Sequence, residues 1–372
     1  MIYVSATETA EFRRCRRRWD LASFNRQGLE SKKRSTPLDF GTLMHAALAA
    51  YYDPALRIHP AVAFEEAANV RIAEIMAQNA WFPEEEQRWL EIKALGVGMM
   101  NHYVSYWTPE KENFRVVATE REFQVPIEDE HGNLVGYLIG RFDGVVERLI
   151  NGEWKKFLLE HKSSADALNH AILLLDDQTL KYHLAAEKLF GWELEGVLYN
   201  VCRKKLPRVP PLVQNTNPRI GTGSQRLSVS KDMDTTYDTY YQAILDNGFS
   251  PLDYGDILTV LSEKGNTFFE RVTIFRNRKE ILLEEKRTRE VMLDMADPNL
   301  RLYPNPTWDC HWDCDFREVC LAMNEDGDVD FLKSQLLQPR TRSGVYLKMG
   351  EQNAEPGKEV PTPGSEGWPF GV

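Results

Sequence analysis

Apolar residues recur at two different periods along this chain, and the change from one to the other divides it. Over roughly the first hundred residues the spacing is helical. Residues 5–27 predict a helix with Thr7 as its cap, Glu11 in the first turn, and an irregular apolar face of Phe12, Cys15, Trp19 and Phe24. After a Lys/Arg/Ser/Thr loop at 31–36, FGTLMHAALAAYY reads as a buried helix with Gly41 near its start. Residues 60–78 and 84–107 predict two amphipathic helices; in the second, Trp89, Ile92, Leu95, Met99 and Tyr103 form a core stripe.

Beyond residue 110 the period falls to two. FRVVATEREFQVPI, YLIGRFDGVVERLI and KKFLLEHKSS predict three antiparallel strands. A polar turn at 130–133 joins the first two, and Asn151 with Gly152 joins the second pair, a strong hairpin signal. A helix over residues 176–190 follows, then a strand, ELEGVLYNVCRK. Residues 207–226, rich in Pro, Gly and Asn, predict a loop. FFERVTIFR predicts a strand and residues 278–294 a charged helix. The tail from 337, polar and rich in Gly, Pro, Ser and Thr, predicts disorder. The expected division is therefore N-terminal helices at 1–52, a helical insertion at 53–110, an α/β core at 111–206 and its extension at 207–300. A cysteine-rich segment at 301–336 and a tail at 337–372 complete it.

Charge changes this picture in one place. A net charge of −11 disfavours binding to nucleic acid by the molecule as a whole. Arg13, Arg14, Arg16, Arg17, Arg18, Lys32, Lys33 and Arg34 nonetheless crowd one stretch, and local patches suffice to hold phosphates. Arg203, Lys204, Lys205 and Arg208 form a second cluster that reads equally well as a solvated surface. No run of about 18 apolar residues exists to cross a membrane. The N-terminus lacks the apolar core of a secretory signal, so a cytoplasmic location is expected.

The predicted hairpin carries candidate chemistry. Glu160 and Lys162 are two apart in a strand and point to the same side, and the Asn151–Gly152 turn folds Asp143 beside them. Two carboxylates offer hard oxygen ligands to Mg²⁺ or Mn²⁺. Such an ion activates water and neutralises charge on a phosphate, while an ammonium stabilises the pentacovalent state. On spacing alone, a surface ion pair explains Glu-x-Lys equally well. The flanking LIGRF and KKFLL are apolar, however, and charges inside such strands need a reason to be there.

Five cysteines are present. Cys202 stands alone on a predicted core strand and reads as a small buried apolar residue. Cys310, Cys314 and Cys320 cluster in CHWDCDFREVC, and Cys15 lies near the start. In a reducing compartment such a cluster indicates metal rather than disulfides, and its spacing lacks the two C-x-x-C knuckles of a zinc ribbon.

In order along the chain, FGTLMHAAL, GRFDGVV, LLEHKSS, Gln178-x-x-x-Tyr182 and the four-cysteine set resemble the RecB-like branch of the PD-(D/E)XK nucleases. That branch includes CRISPR-associated adaptation nucleases and phage exonucleases. Phe142 stands where the PD element has its proline, and Gly140 with Asp143 matches the G-x-x-D form of this branch. The resemblance implies an α/β, restriction-endonuclease-like core, a mixed central sheet flanked by helices, with a helical insertion and an iron–sulfur subdomain. It implies that His45, Asp143, Glu160 and the backbone carbonyl of His161 hold Mg²⁺ or Mn²⁺, that Lys162 is catalytic, and that Gln178 and Tyr182 look onto DNA. It also implies that Cys15, Cys310, Cys314 and Cys320 hold a [4Fe–4S] cluster, with structural zinc as the alternative.

The expected function is a metal-dependent DNA exonuclease, acting on single-stranded ends in recombination, repair or phage DNA processing. It would work in the host cytoplasm if phage-encoded. No G-x-x-x-x-G-K-[ST] motif is present, so a helicase or recombination partner would be a separate chain. Two rivals remain at this point: a non-cleaving DNA-binding accessory protein, and an iron–sulfur protein whose DNA binding senses redox state.

Overall fold

The computed structural model describes the chain apart from residues 33–35, 78–82, 109–110, 112, 167, 217–222 and 341–372. The described residues divide into two compact units, Met1–Arg14 with Lys33–Arg301, and Cys15–Lys32 with the chain from Leu302.

The first unit is built on a six-stranded mixed sheet. Its spine is the strand Leu134–Ile150, which pairs antiparallel with Phe114–Glu128 along nearly its whole length. The opposite edge of this strand is shared. Ile2–Ser5 runs parallel to residues 136–139, and Glu153–Ser164 runs antiparallel to residues 144–150. Residues 140–143 therefore lie between two partners on that edge. The sheet continues through Leu194–Arg203, parallel to Glu153–Ser164, and ends with the antiparallel strand Phe269–Phe275.

Local chemistry explains the hairpin. Asn151 and Gly152 both take positive φ, at 51° and 84°, as the tight turns that follow strand twist require. Gly140 answers a different need: a Cβ there would lie 2.4 Å from the Phe123 ring packed over it. Helices Thr36–Tyr52, Pro60–Ala77 and Pro83–Tyr106 form one layer. Their Phe40, Met44, Phe64, Trp89, Met99 and Tyr103 pack with Val146, Phe157, Leu159 and Leu198 of the sheet. Cys202 is fully buried in the same core, and burial pushes its thiol up to about 12. Helices Asp177–Phe190 and Arg278–Ala296 meet through Leu180, Leu184 and Ile281. They also meet through an ion pair, Lys181 Nζ to Glu284 Oε1 at 2.7 Å, with both side chains almost fully buried. Such a pair fixes the register of two helices, because breaking it would strand a charge in the interior.

Several expectations at element level change. The N-terminal helix over 5–27 is two helices, Ala6–Arg14 and Arg16–Ala22, because Cys15 is extended (φ −161°, ψ 115°). Ser5, not Thr7, caps the first: its Oγ accepts the Glu8 N–H at 3.1 Å. Ile2–Ser5 is a strand too short to show a period. The loop expected at 207–226 contains two short paired strands, Leu212–Gln214 and Gln225–Leu227. Helices Tyr237–Asp246 and Gly255–Lys264, which the sequence pattern did not reveal, enclose a small separate core of Leu227, Tyr240, Ile244, Tyr254, Ile257 and Leu261.

The second unit has short elements. Helices Arg16–Ala22, Arg317–Glu325 and Val329–Leu336 surround Leu21, Ala22, Phe316, Val319 and Leu337. Leu337–Pro339 pairs antiparallel with Leu29–Ser31, so these residues are not part of the disordered tail expected from 337. The remainder of that tail, from 341, lies outside the described residues. Among the described residues no helix is long and apolar enough to cross a membrane.

Candidate active site

The site forms where the hairpin stops pairing. Gly144↔Leu159 is the last partnered position, so Asp143 and Glu160 follow it on two strands that no longer bond. The Asp143 carboxylate takes the place of the missing ladder. Its Oδ2 accepts the His161 N–H at 2.8 Å, and its Oδ1 meets His45 Nδ1 at 3.0 Å. His45 comes from the helix Thr36–Tyr52, about two turns before its end.

Glu160 is 2% exposed. Its Oε1 accepts from Lys162 Nζ at 2.8 Å and from Gln178 Nε2 at 3.3 Å. Gln178 Nε2 also lies 3.0 Å from the Tyr182 hydroxyl, so the two residues of Gln178-x-x-x-Tyr182 act from one helix face. Lys162 has a second acidic neighbour, Asp176, at 3.5 Å. The structure thus brings together His45, Asp143, Glu160, His161, Lys162, Gln178 and Tyr182.

Electrostatics separate the two carboxylates. Burial pushes Glu160 upward, and the charge of Asp143 adds to that push despite Lys162. Asp143 is half-buried and desolvation pushes it upward as well, yet His45 and the His161 N–H hold it below the usual carboxylate range. Lys162 stays charged: burial opposes the ammonium, but Glu160 and Asp176 raise its pKa well above normal. His161 is driven down to about 3 by burial and stays neutral. Its ring is fixed by Asn200 Nδ2 at 3.0 Å from Nδ1 and by stacking on Tyr52.

Two residues at the site escaped the sequence reading. Glu120 lies across from Asp143, between the pairs Thr119↔Gly144 and Arg121↔Phe142. Its φ is 47°, a conformation that costs a non-glycine residue about 1 kcal/mol or more. Burial raises its carboxyl to about 7, although Arg141 Nε sits 2.7 Å away. Asp176 is the other. It caps Asp177–Phe190 by accepting the Gln178 N–H and stands beside Lys162. Its sequence signal was its place at the start of the predicted helix.

Among the described residues, no three His, Cys, Asp or Glu side chains are spaced as a ready-made metal site. The donor set at the hairpin still fits a divalent cation. Glu160 Oε2 is buried without a hydrogen-bond partner among the described residues, and the neighbouring Asp143 carboxylate disfavours the charge of Glu160. An added positive charge between them would relieve both penalties.

A family model of the PD-(D/E)XK nuclease superfamily matches residues 3–321. The chain belongs to the PD-(D/E)XK nuclease superfamily. Membership accounts for the mixed sheet flanked by helices and makes the chain a metal-dependent nuclease, of a family that generally uses Mg²⁺ or Mn²⁺ and acts on DNA. A search of curated proteins gave no match.

The other candidate residues behave differently. Arg13 is paired with Asp177. In the second unit, Arg17 reaches Cys320 O, Cys320 Sγ and Asn324, and Arg18 reaches the Asp313 carbonyl at 2.8 Å. Arg16 lies over the Tyr303 ring and Lys32 donates to the Ser334 carbonyl. Arg14 is likewise engaged. Lys33 and Arg34 lie outside the described residues. Of the second basic cluster, Arg203 and Lys205 both pair with Asp234. Cys15, Cys310, Cys314 and Cys320 are all half-buried members of the second unit.

Proposed function

We propose that this nuclease is a Mg²⁺- or Mn²⁺-dependent DNA exonuclease of the RecB-like branch, acting on single-stranded ends in recombination, repair or phage DNA processing. The observation that carries the reading is the pairing of His45 with Asp143 and of Lys162 with Glu160 where the hairpin stops pairing, with Glu160 Oε2 buried and without a hydrogen-bond partner among the described residues. His45, Asp143, Glu160 and the His161 carbonyl would hold the ion. When bound, the ion supplies a more acidic water and charge neutralisation at the phosphate. Lys162, kept charged by Glu160 and Asp176, orients the attacking water and stabilises the phosphate oxygens. Gln178 holds Glu160 from the facing helix and fixes which carboxylate oxygen stays open. The intact set of these residues favours cleavage over a non-cleaving accessory role.

The test is a panel of end-labelled single-stranded, blunt and flapped DNA with Mn²⁺. Stepwise shortening of single strands that stops with EDTA and with Lys162→Ala supports the reading. No cleavage of any substrate, or cleavage that survives Lys162→Ala, overturns it.

The four cysteines of the second unit are read as ligands of a [4Fe–4S] cluster, with zinc as the alternative. What supports a thiolate site is a set of donors aimed at sulfur. The Asn305 N–H is 3.4 Å from Cys15 Sγ, the Thr307 N–H is 3.4 Å from Cys310 Sγ, and Arg17 is 3.3 Å from Cys320 Sγ. The Cys314 thiol, raised mainly by burial, also feels Cys310 and Cys15. Such N–H donors stabilise sulfur that carries negative charge. Iron and sulfide in the purified protein support the cluster; zinc alone replaces it, and no metal refutes both.

A further inference from the structure

Between the catalytic strand Glu153–Ser164 and the helix Asp177–Phe190 runs a short turn whose sequence is almost wholly aliphatic, AILLL at 171–175. It begins as the single-turn helix His170–Leu174, capped by the Asn169 side chain. Leu173 is buried, whereas Ile172, Leu174 and Leu175 are 58%, 57% and 84% exposed. Three large aliphatic side chains in four residues are presented to solvent.

Fraying does not account for this exposure. Arg276, whose side chain is only 4% exposed, donates to the carbonyls of Leu173 and Leu174 at 2.9 Å and of Asp176 at 3.3 Å. The Tyr199 hydroxyl adds a bond to Asp176 Oδ2 at 3.2 Å. One buried guanidinium thus clamps the backbone of the turn and holds its side chains outward. The turn is also continuous with the reaction centre. Leu175 is followed directly by Asp176, whose carboxylate is 3.5 Å from Lys162 Nζ.

We propose that residues 172–175 form an apolar shelf that takes the face of the nucleobase next to the scissile phosphate, and that it requires that base to be unpaired. The inference rests on the DNA-cleavage reading above and adds how the strand is selected. A phosphate held at Lys162 brings its own sugars and bases along, so an aliphatic surface one residue from the lysine's partner meets them. Base faces are apolar, and Leu and Ile are residues that pack against or between them. In a duplex those faces are closed by stacking on neighbours. Only a frayed or single-stranded base offers one without the cost of unstacking.

The experiment compares unaltered protein with Ile172→Asn/Leu175→Asn and with Leu175→Phe, using Mn²⁺, a single-stranded oligothymidylate and a blunt duplex. Both positions are solvent-exposed, and circular dichroism checks the fold. The expected result is a KM for the single strand raised about tenfold in the double Asn variant, with kcat changed little. The preference for single strand over duplex should shrink, and Leu175→Phe should keep or tighten KM. Unchanged KM and unchanged strand preference overturn the shelf. So does a double variant that only loses self-association in sedimentation, which reassigns the turn to a protein contact. If the unaltered protein cleaves nothing, the nuclease reading fails by itself. Binding of the fluorescent oligothymidylate then decides the shelf: equal affinity of the unaltered and double Asn proteins overturns it, and weaker binding by the variant supports it.

Discussion

The hairpin site and the cysteine site solve the same problem, gathering ligands, in opposite ways. At the hairpin, strands of 17 and 12 residues in a six-stranded sheet carry Asp143, Glu160 and Lys162. Their positions follow from register, and the surrounding core buries Glu160 and half-buries Asp143 and Lys162 whether or not an ion is present. Among the described residues of the second unit the longest helix has nine residues and the buried apolar core is Leu21, Ala22, Phe316, Val319 and Leu337. So small a core supplies little stability by itself. The difference teaches that the first site is made by its fold, whereas the second, if it holds a cluster, helps to make its fold.

The largest effect should therefore come from the cysteines. On the proposed reading of the cysteines as metal ligands, Cys310→Ser/Cys314→Ser is expected to remove that metal and the structure of the second unit, a loss on the order of 10 kcal/mol for a structural metal site. Limited proteolysis should then cut within 302–336 while the first unit stays intact. Equal protease resistance with and without the two cysteines would break the comparison.

Next is catalysis. Asp143→Asn and Lys162→Ala should each lower cleavage by about a thousandfold or more, since the first removes a charged ligand of the proposed ion and the second the positive charge that stabilises the phosphate oxygens. EDTA should abolish cleavage and leave the melting of the first unit nearly unchanged, which is the mirror image of the cysteine result. A large drop in melting temperature with EDTA would show that the hairpin site also depends on its ion for shape.

Third is pH. His183 is buried on Asp177–Phe190, and burial lowers its pKa to about 4. Its folded form prefers the neutral ring, so this stability is fully present above the unfolded pKa of about 6.5. It declines as pH falls below 6.5, because the unfolded chain takes up the proton first, and the decline is complete near pH 4. The drop should reach roughly 3 kcal/mol. Urea melts of the first unit between pH 7 and 4 check it, and His183→Leu should flatten that part of the profile. An unchanged slope in the variant would exclude His183 as its source.

The same contrast explains what could be read from sequence. Asp143, Glu160, Lys162, Gln178 and Tyr182 were legible because period-two strands, one Asn-Gly turn and a four-residue helix spacing encode their relations locally. The edge gap at 140–143 was not, since it depends on Ile2–Ser5 joining a strand more than a hundred residues away. Glu120 was hidden for a related reason: its neighbour Asp143 is set by pairing across the sheet, and its positive φ leaves no mark in composition. Helices Tyr237–Asp246 and Gly255–Lys264 were missed because a small core buries few positions in each, too few to show a period. The break at Cys15 interrupts a run whose apolar spacing continues across it.

The smallest effect concerns the basic run. As a phosphate patch, Arg16, Arg17 and Arg18 would set the salt dependence of DNA binding, and their removal would flatten it. Their contacts point to another role. Arg17 donates to the carbonyl and sulfur of Cys320 and to Asn324, Arg18 to the Asp313 carbonyl, and Arg16 lies over Tyr303. Each joins the Arg16–Ala22 helix to the cysteine segment of its own unit. Partly exposed hydrogen bonds of this kind contribute about 1 kcal/mol each, and those to main-chain carbonyls are lost outright on truncation. The triple Ala variant should thus lower the stability of the second unit by about 1–3 kcal/mol. It should leave the slope of log affinity against log salt unchanged. Thermal melting and a salt titration on the same sample decide between the roles. A flattened slope with unchanged melting would return these arginines to the DNA.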